Sequence, residues 1–324
     1  MLIRTPLRLS LVGGGSDLRY FYEKHEGMSI GFPIKKYNYI FFSDIKSNLL
    51  HIVSDKENIK TSDPNSIKDN ILRAIFTKYT LNKKKAFIFS DLPYGTGLGS
   101  SSAMTVGLIN AINNIKKLKM DRSKIADMAY KIEEQSSGTT VGKQDHFMST
   151  YGGINLFTYN KNSKTKVNKI NYSMKSIGNF EKYLLLIRVG GTRNATDILH
   201  DQKNNLISNN SKFENMKKIL TYIPEIKKSL IQHDFKEMGK LISDTWHLKK
   251  TFSKLISNTE VDDLETFLLS QGIYGGKLLG AGSSGYFLVI CNPKVKKKLI
   301  SIFKTKEIIN INIDKEGSEI KWQL

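Results

Sequence analysis

Pro93-Tyr94-Gly95-Thr96-Gly97-Leu98-Gly99-Ser100-Ser101-Ser102-Ala103 decides how this chain folds: three glycines in five positions, followed by three serines. Lys85–Ser90 predicts a strand before it. Met104, Leu108, Ala111, Ile115 and Leu118, at steps of four and three, predict a helix with one apolar stripe after it. Glycine lets backbone approach a ligand closely, and serines at a helix start leave N–H groups pointing outward. The helix N-terminus also carries partial positive charge, so the arrangement suits a phosphate. No Gly-Lys-Ser/Thr closes the loop, so it is not a Walker A motif. It is a phosphate cradle of another kind.

Working outward, Leu7–Val12, Met28–Ile34 and Tyr37–Ser43 read as strands, with a short helix at Leu18–His25. Ser66–Tyr79 has helical spacing, and a further helix runs from Ser123 to Glu134. Tyr151–Tyr159 reads as a turn into a strand. The polar, Lys/Asn-rich stretch 160–180 is the best place for a domain boundary. Beyond it, Tyr183–Val189 and Tyr286–Cys291 read as strands, 194–270 as mostly helical, and more β structure is expected near residue 324. The fold class is α+β with two lobes, divided as 1–165 and 166–324.

A chain of 324 residues buries a large core. One cysteine, Cys291, excludes an intramolecular disulfide framework and a Cys-based zinc cluster, which fits a reducing interior. Residues 1–6 show no signal peptide, and no apolar run approaches the ~20 residues that span a bilayer. The expected setting is the cytoplasm, away from membranes. The net charge of +20 raises nucleic acid as a partner. Against it, the lysines are scattered in small groups such as Lys116/Lys117/Lys119 and Lys249/Lys250, with no aromatic–basic RNA motif and no Cys/His finger. They read as a solvated surface that would still attract an anionic substrate. A salt-dependent gel shift would test the nucleic-acid alternative.

Two further glycine segments, Gly13–Gly15 and Gly275–Gly285, lie far from the first. The second contains Gly280-Ala281-Gly282-Ser283-Ser284-Gly285, a formal G-x-G-x-x-G. That pattern binds dinucleotides only where it follows a strand and opens a helix. Here it follows a glycine-rich loop and leads into the apparent strand Tyr286–Ile290, so the dinucleotide reading fails on context.

Together, the three segments resemble the motifs of the GHMP kinases. Pro93–Ala103 is similar to their P-x-x-x-G-L-G-S-S-A signature, Arg4–Asp17 resembles the N-terminal motif, and Lys277–Gly285 resembles the C-terminal glycine motif, in the same order and spacing. The resemblance covers essentially the whole chain. It implies a ribosomal-protein-S5-like N-terminal domain and a ferredoxin-like C-terminal domain, with the active site between them.

The resemblance also assigns roles. Gly95, Gly97, Leu98, Gly99, Ser100, Ser101 and Ser102 would hold the ATP phosphates. Ser101 would ligate Mg²⁺ together with an acid from Ile132-Glu133-Glu134; counting back from Asp145 favours Glu133, and a slip of one residue selects Glu134. A hydroxyl and a carboxylate are the hard oxygen ligands Mg²⁺ prefers. Asp145 occupies the place of the catalytic aspartate. An aspartate is a weak base, which phosphoryl transfer tolerates because its transition state is loose. Arg8 or Lys143 would hold the charge of Asp145 and offset that of the transferring phosphate. His146 is expected to be a packing or surface residue.

In galactokinases the N-terminal motif reads G-E-H-T-D, whereas here it is Gly13-Gly14-Gly15-Ser16-Asp17. Asp17 would accept hydrogen bonds from sugar hydroxyls. The missing side chains leave room, and the freed N–H groups would form an anion nest. Both changes favour a bulkier, phosphorylated sugar. Arg193, with Lys143 and Arg19 behind it, is the candidate clamp for a distal phosphate. The expectation is an ATP- and Mg²⁺-dependent kinase acting on the anomeric hydroxyl of D-glycero-D-manno-heptose 7-phosphate, feeding nucleotide-activated heptose for surface polysaccharide. The alternatives are the same chemistry on fucose, glucuronic acid or galactose, or a catalytically silent sugar sensor. Small-molecule sugar phosphate is the expected partner, and a homo-oligomer is left open. The third motif departs from the family at Leu279, Ser284 and Tyr286, so its part in the site is inferred from position alone.

Overall fold

The computed structural model describes residues 1–322 except 139, 163, 191–194 and 304–306. In chain order come β1 (Leu2–Val12), α1 (Arg19–Tyr22), β2 (Gly27–Asp44), β3 (Leu50–Ser54), β4 (Asn58–Thr61), α2 (Asn70–Lys78) and β5 (Lys84–Ser90). There follow α3 (Ser100–Ile115), α4 (Arg122–Ser136), α5 (Gln144–Thr150), β6 (Asn155–Tyr159), β7 (Thr165–Lys169) and α6 (Met174–Glu181). Then come β8 (Leu184–Val189), α7 (Ala195–Ser208), α8 (Asn210–Ile231), α9 (Phe235–Lys250) and α10 (Thr259–Ser270). The described elements finish with β9 (Gly275–Leu278), β10 (Gly285–Ile290), α11 (Pro293–Ile302), β11 (Ile308–Asn310) and β12 (Glu319–Trp322).

Two sheets organise these elements, as the α+β reading requires. The first has eight strands, ordered β12-β1-β2-β5-β3-β4, with β6 on β2 and β7 on β6. The second has four antiparallel strands ordered β11-β8-β10-β9. The strands expected at Met28–Ile34 and Tyr37–Ser43 are one strand, β2. Pro6 of β1 faces Tyr37 while Leu7 faces Ile34, so Lys35 and Lys36 bulge out of the ladder. The bulge brings β2 against the 312–314 segment, where the Lys35 N–H donates to the Asn312 carbonyl and the Asp314 N–H to the Pro33 carbonyl.

The boundary expected at 165/166 falls inside β7, whose pairing with β6 keeps it in the first sheet. β12 returns to that sheet as well, antiparallel to β1 with Arg4 facing Glu319. The Arg4 guanidinium donates to Glu319 at 2.6 Å and lies over the Tyr37 ring, whose hydroxyl donates to Asp314. The stretch 166–181 is therefore not a bare linker: it carries a strand and a helix.

One apolar cluster crosses between the sheets. It joins Leu7, Leu9, Ile30 and Phe32 of β1 and β2 to Leu184–Ile187 of β8 and to Met216, Ile223 and Trp246 of α8 and α9. A second cluster packs the outer half of the first sheet, including Ile40 and Ile52, on α2, α3 and α4. Among the described residues, no helix is long and apolar enough to cross a membrane.

Candidate active site

The phosphate loop connects β5 to α3. Gly99, in the left-handed region, is the N-cap of α3, and no side chain caps the helix, so its first N–H groups remain available to an anion. Leu98 is the buried plug of the loop, and the Asn38 amide donates to the Ser100 carbonyl to pin the first turn. Ser100 and Ser102 are buried, and Ser101 is half-buried. Gly95 is exposed at the outer rim. The third glycine segment explains itself here: it is the β9–β10 turn, and it lies on the phosphate loop. A Cβ on Gly280 would sit 2.7 Å from Gly97 Cα, and one on Gly97 would sit 2.7 Å from the Leu279 carbonyl oxygen. The two loops touch backbone to backbone, and only glycine permits it.

Arg8, on β1, binds Asp145 with two parallel hydrogen bonds: Nε to Oδ1 at 2.7 Å and an η nitrogen to Oδ2 at 2.5 Å. Its other η nitrogen donates to the Gly97 carbonyl at 2.6 Å. One guanidinium thus ties the phosphate loop to the carboxylate that opens α5. Asp17 lies beside this pair. It is fully buried, accepts from the N–H groups of Gly15 and Gln144, and has its pKa pushed up to about 6, first by burial and then by the charge of Asp145. A side chain at Gly142 would overlap the Asp17 carboxylate, which accounts for that glycine. The Gly15 N–H expected to serve an anion nest is instead spent on Asp17.

Asp17 and Asp145 line one cleft with Arg8, Ser10, Gly14, Gly15, Gln144, Gln202, Lys249 and Lys277. The two lysines escaped the reading of the sequence, where Lys249 counted as solvated surface. Its ammonium instead donates to the Gly280 carbonyl at 2.7 Å, and that of Lys277 donates to the Leu11 carbonyl at 3.3 Å. Burial, then repulsion from Arg8, lowers the pKa of Lys249 to about 8. Burial, then repulsion from Lys249, takes Lys277 well below its ordinary value. A signal existed: Phe235, Met238, Ile242 and Trp246 mark the buried stripe of α9, and Lys249 is the next position on it.

Other expected residues lie elsewhere. Lys143 turns away from the cleft and is buried, with its ammonium 5.0 Å from the Tyr22 ring centre and 5.3 Å from that of Tyr130. Gln144 and Asp145, the first two residues of α5, line the cleft, whereas Lys143, its N-cap, does not. Arg193 lies outside the described residues. Gly13 belongs to the turn leaving β1 but does not line the cleft. Glu133 is buried and its Oε2 lies 2.6 Å from His146 Nε2, so His146 is a buried partner of that acid. Glu134 accepts from the Tyr130 hydroxyl. Among the described residues, no three acidic, His or Cys side chains gather as a metal cage. Ser101 on α3 and Glu133 on the adjoining α4 offer one hydroxyl and one carboxylate. That set fits an ion that keeps most of its shell as water and phosphate oxygens, as Mg²⁺ does.

The chain is similar to known proteins in sequence and in fold. The family described as GHMP kinases N terminal domain matches residues 65–153, and GHMP kinases C terminal matches 226–305, together just over half of the chain. The chain is 28% identical over 336 residues to the D-glycero-alpha-D-manno-heptose 7-phosphate kinase of Campylobacter jejuni, covering 99% of this chain and 98% of that one. It is 28% identical over 279 residues to the mevalonate kinase of Saccharolobus solfataricus, covering 82% and 84%. In fold it matches the crystal structure of a D-glycero-D-manno-heptose 1-phosphate kinase from Bacteroides thetaiotaomicron, with a TM-score of 0.79 over 98% of this chain and 97% of that one at 21% identity.

Proposed function

The chain belongs to the GHMP kinases, ATP-dependent phosphotransferases with an alcohol as acceptor, and on that premise we propose that it phosphorylates the anomeric hydroxyl of D-glycero-D-manno-heptose 7-phosphate. The observation that carries this reading is the two-pronged Arg8–Asp145 pair, tied to the phosphate loop through Gly97 at the mouth of a polar cleft. The acceptor assignment leans on the near full-length similarity to the C. jejuni kinase. It leans also on the cleft lining: Asp17, Ser10, Gln144 and Gln202 supply the several hydrogen-bonding groups that a polyhydroxylated ligand needs.

The reaction then runs as an in-line transfer. The N–H groups at the start of α3 and the backbone of Gly95–Ser102 bind the ATP phosphates. Asp17 accepts from sugar hydroxyls and fixes the ring. Asp145 orients the anomeric hydroxyl and takes its proton as the oxygen–phosphorus bond forms and the bond to the leaving ADP oxygen breaks. Arg8 holds Asp145 in one rotamer and offsets the charge of the transferring phosphoryl group. Ser101 and Glu133, the latter held by His146, would bind Mg²⁺, which supplies neutralisation of phosphate charge.

Two measurements test this. Asp145→Asn is expected to lower kcat by about 10²- to 10⁴-fold while ATP and acceptor still bind; wild-type turnover in that variant would overturn the role of Asp145. A panel of free and phosphorylated sugars with ATP, with the phosphorylated position read by ³¹P NMR, tests the acceptor. A strong preference for an unphosphorylated sugar overturns the heptose phosphate assignment.

A further inference from the structure

Two cations in the cleft have no task in the transfer just described. Arg8 is committed to Asp145 and the transferring phosphoryl group, and Asp17, which accepts from two backbone N–H groups, to the sugar hydroxyls. Lys249 and Lys277 are left: among the described residues neither forms an ion pair, and each makes one hydrogen bond, to a carbonyl oxygen. An ammonium has three donors, so each retains donors for a ligand. Burying two like charges side by side is unfavourable unless an anion joins them. The next residue shows the contrast. Lys250, on the same turn of α9, is matched with Asp262 and Glu265 and serves packing against α10.

We propose that Lys249 and Lys277 form the subsite for the phosphate that the acceptor already carries, and so select a sugar phosphate over the free sugar. This rests on the reading of the cleft as the acceptor site. A phosphate monoester brings a charge of about −1.5 to −2 at pH 7, which matches two ammonium groups. Burial first, and then repulsion from Arg8 at Lys249 and from Lys249 at Lys277, lowers the proton affinity of both lysines, and a phosphate bound between them would favour their charged forms. The donor is the other source of phosphate, and the lining argues against it. Residues 95–102 take no part in lining the cleft, whereas Gly14, Gly15, Asp17 and Gln202 on the sugar side do. The lysines come from α9 and β9, so the second sheet and its helix would hold the acceptor's phosphate, while residues next to the first sheet, Asp17 and Ser10 among them, hold its hydroxyls.

The test compares matched ligands by calorimetric binding: D-glycero-D-manno-heptose 7-phosphate against D-glycero-D-manno-heptose, and mannose 6-phosphate against mannose, with ATP titrated separately. Wild-type protein should favour the phosphorylated member of a pair. In Lys249→Met and Lys277→Met that preference should shrink by about 10- to 100-fold, the usual loss for a hydrogen bond to a charged group. Lys249→Arg, which keeps the charge, should restore part of it. Lys240→Met, the same change on the exposed face of α9, should leave the preference intact. If Lys277→Met does not fold, the Lys249 pair of variants decides. The proposal is overturned if the preference is absent in wild type, if it survives Lys249→Met, or if ATP affinity falls as much as acceptor affinity. Failure of the heptose assignment looks different: the phosphate preference and its loss appear with mannose 6-phosphate, while the heptose pair shows none.

Discussion

Asp17 keeps its carboxylate out of water, and its pKa of about 6 in the folded chain compares with ~3.9 for an exposed aspartate. Between those values the folded chain holds a proton that the unfolded chain has released, so stability falls as pH rises through that window. Above pH 6 the cost levels off at about 3 kcal/mol. Asp17→Asn cannot ionise and loses one acceptor at every pH. The melting temperature of the ligand-free wild type, relative to this variant, should therefore drop between pH 4 and pH 7; a difference that stays flat would contradict the burial argument. At this scale the sequence named Arg8, Asp17 and Asp145, and the structure brings these three together in one cleft. The sequence was opaque for Lys249, because composition counts lysines without saying which face of a helix carries them. It also misled on Lys143, whose direction depends on where α5 begins.

At the scale of elements, the two glycine loops behave as one unit. Gly95 and Gly280 both have positive φ, but a Cβ on Gly95 meets nothing within 4 Å, whereas one on Gly280 lies 2.7 Å from Gly97 Cα. Gly95→Ala should cost about 1–2 kcal/mol of backbone strain alone. Gly280→Ala should cost more, and should raise the KM for ATP several-fold by displacing the phosphate loop. Equal effects in the two variants, by chemical denaturation and ATP titration, would separate the loops. Amphipathic helices were legible because their stripe repeats, and α3 begins within its motif as expected. The single strand β2 was not, because its bulge places Lys35 and Lys36 in the middle of a continuous ladder. The hairpin β3–β4 was missed too: its strands have five and four residues, and β4 reads Asn-Ile-Lys-Thr, too short and polar to signal itself.

For the whole molecule, the cluster that joins β1 and β2 to β8, α8 and α9 gives the second sheet a core shared with the first. The second sheet thus has none of its own to keep when the first melts, whereas the outer half of the first sheet also packs on α2, α3 and α4. Calorimetry should therefore show one transition whose calorimetric and van't Hoff enthalpies agree. Two resolved transitions would mean that the lobes unfold independently. The two-lobed outline was legible from the order of the motifs, but the shared core and the return of β12 were not. Pairing across such distances leaves no local pattern. That return has a consequence for how the chain is made. Arg4 and Glu319, partners across β1 and β12, are 315 residues apart. At ribosomal speeds of about 5–20 residues per second, the outer edge of β1 stays unpaired for roughly 15 to 60 seconds after it emerges. An open strand edge is a template for the wrong partner. Until β12 arrives, a newborn copy of this protein is a half-closed sheet in a crowded polysome, and its yield at high expression will depend on what shelters that edge.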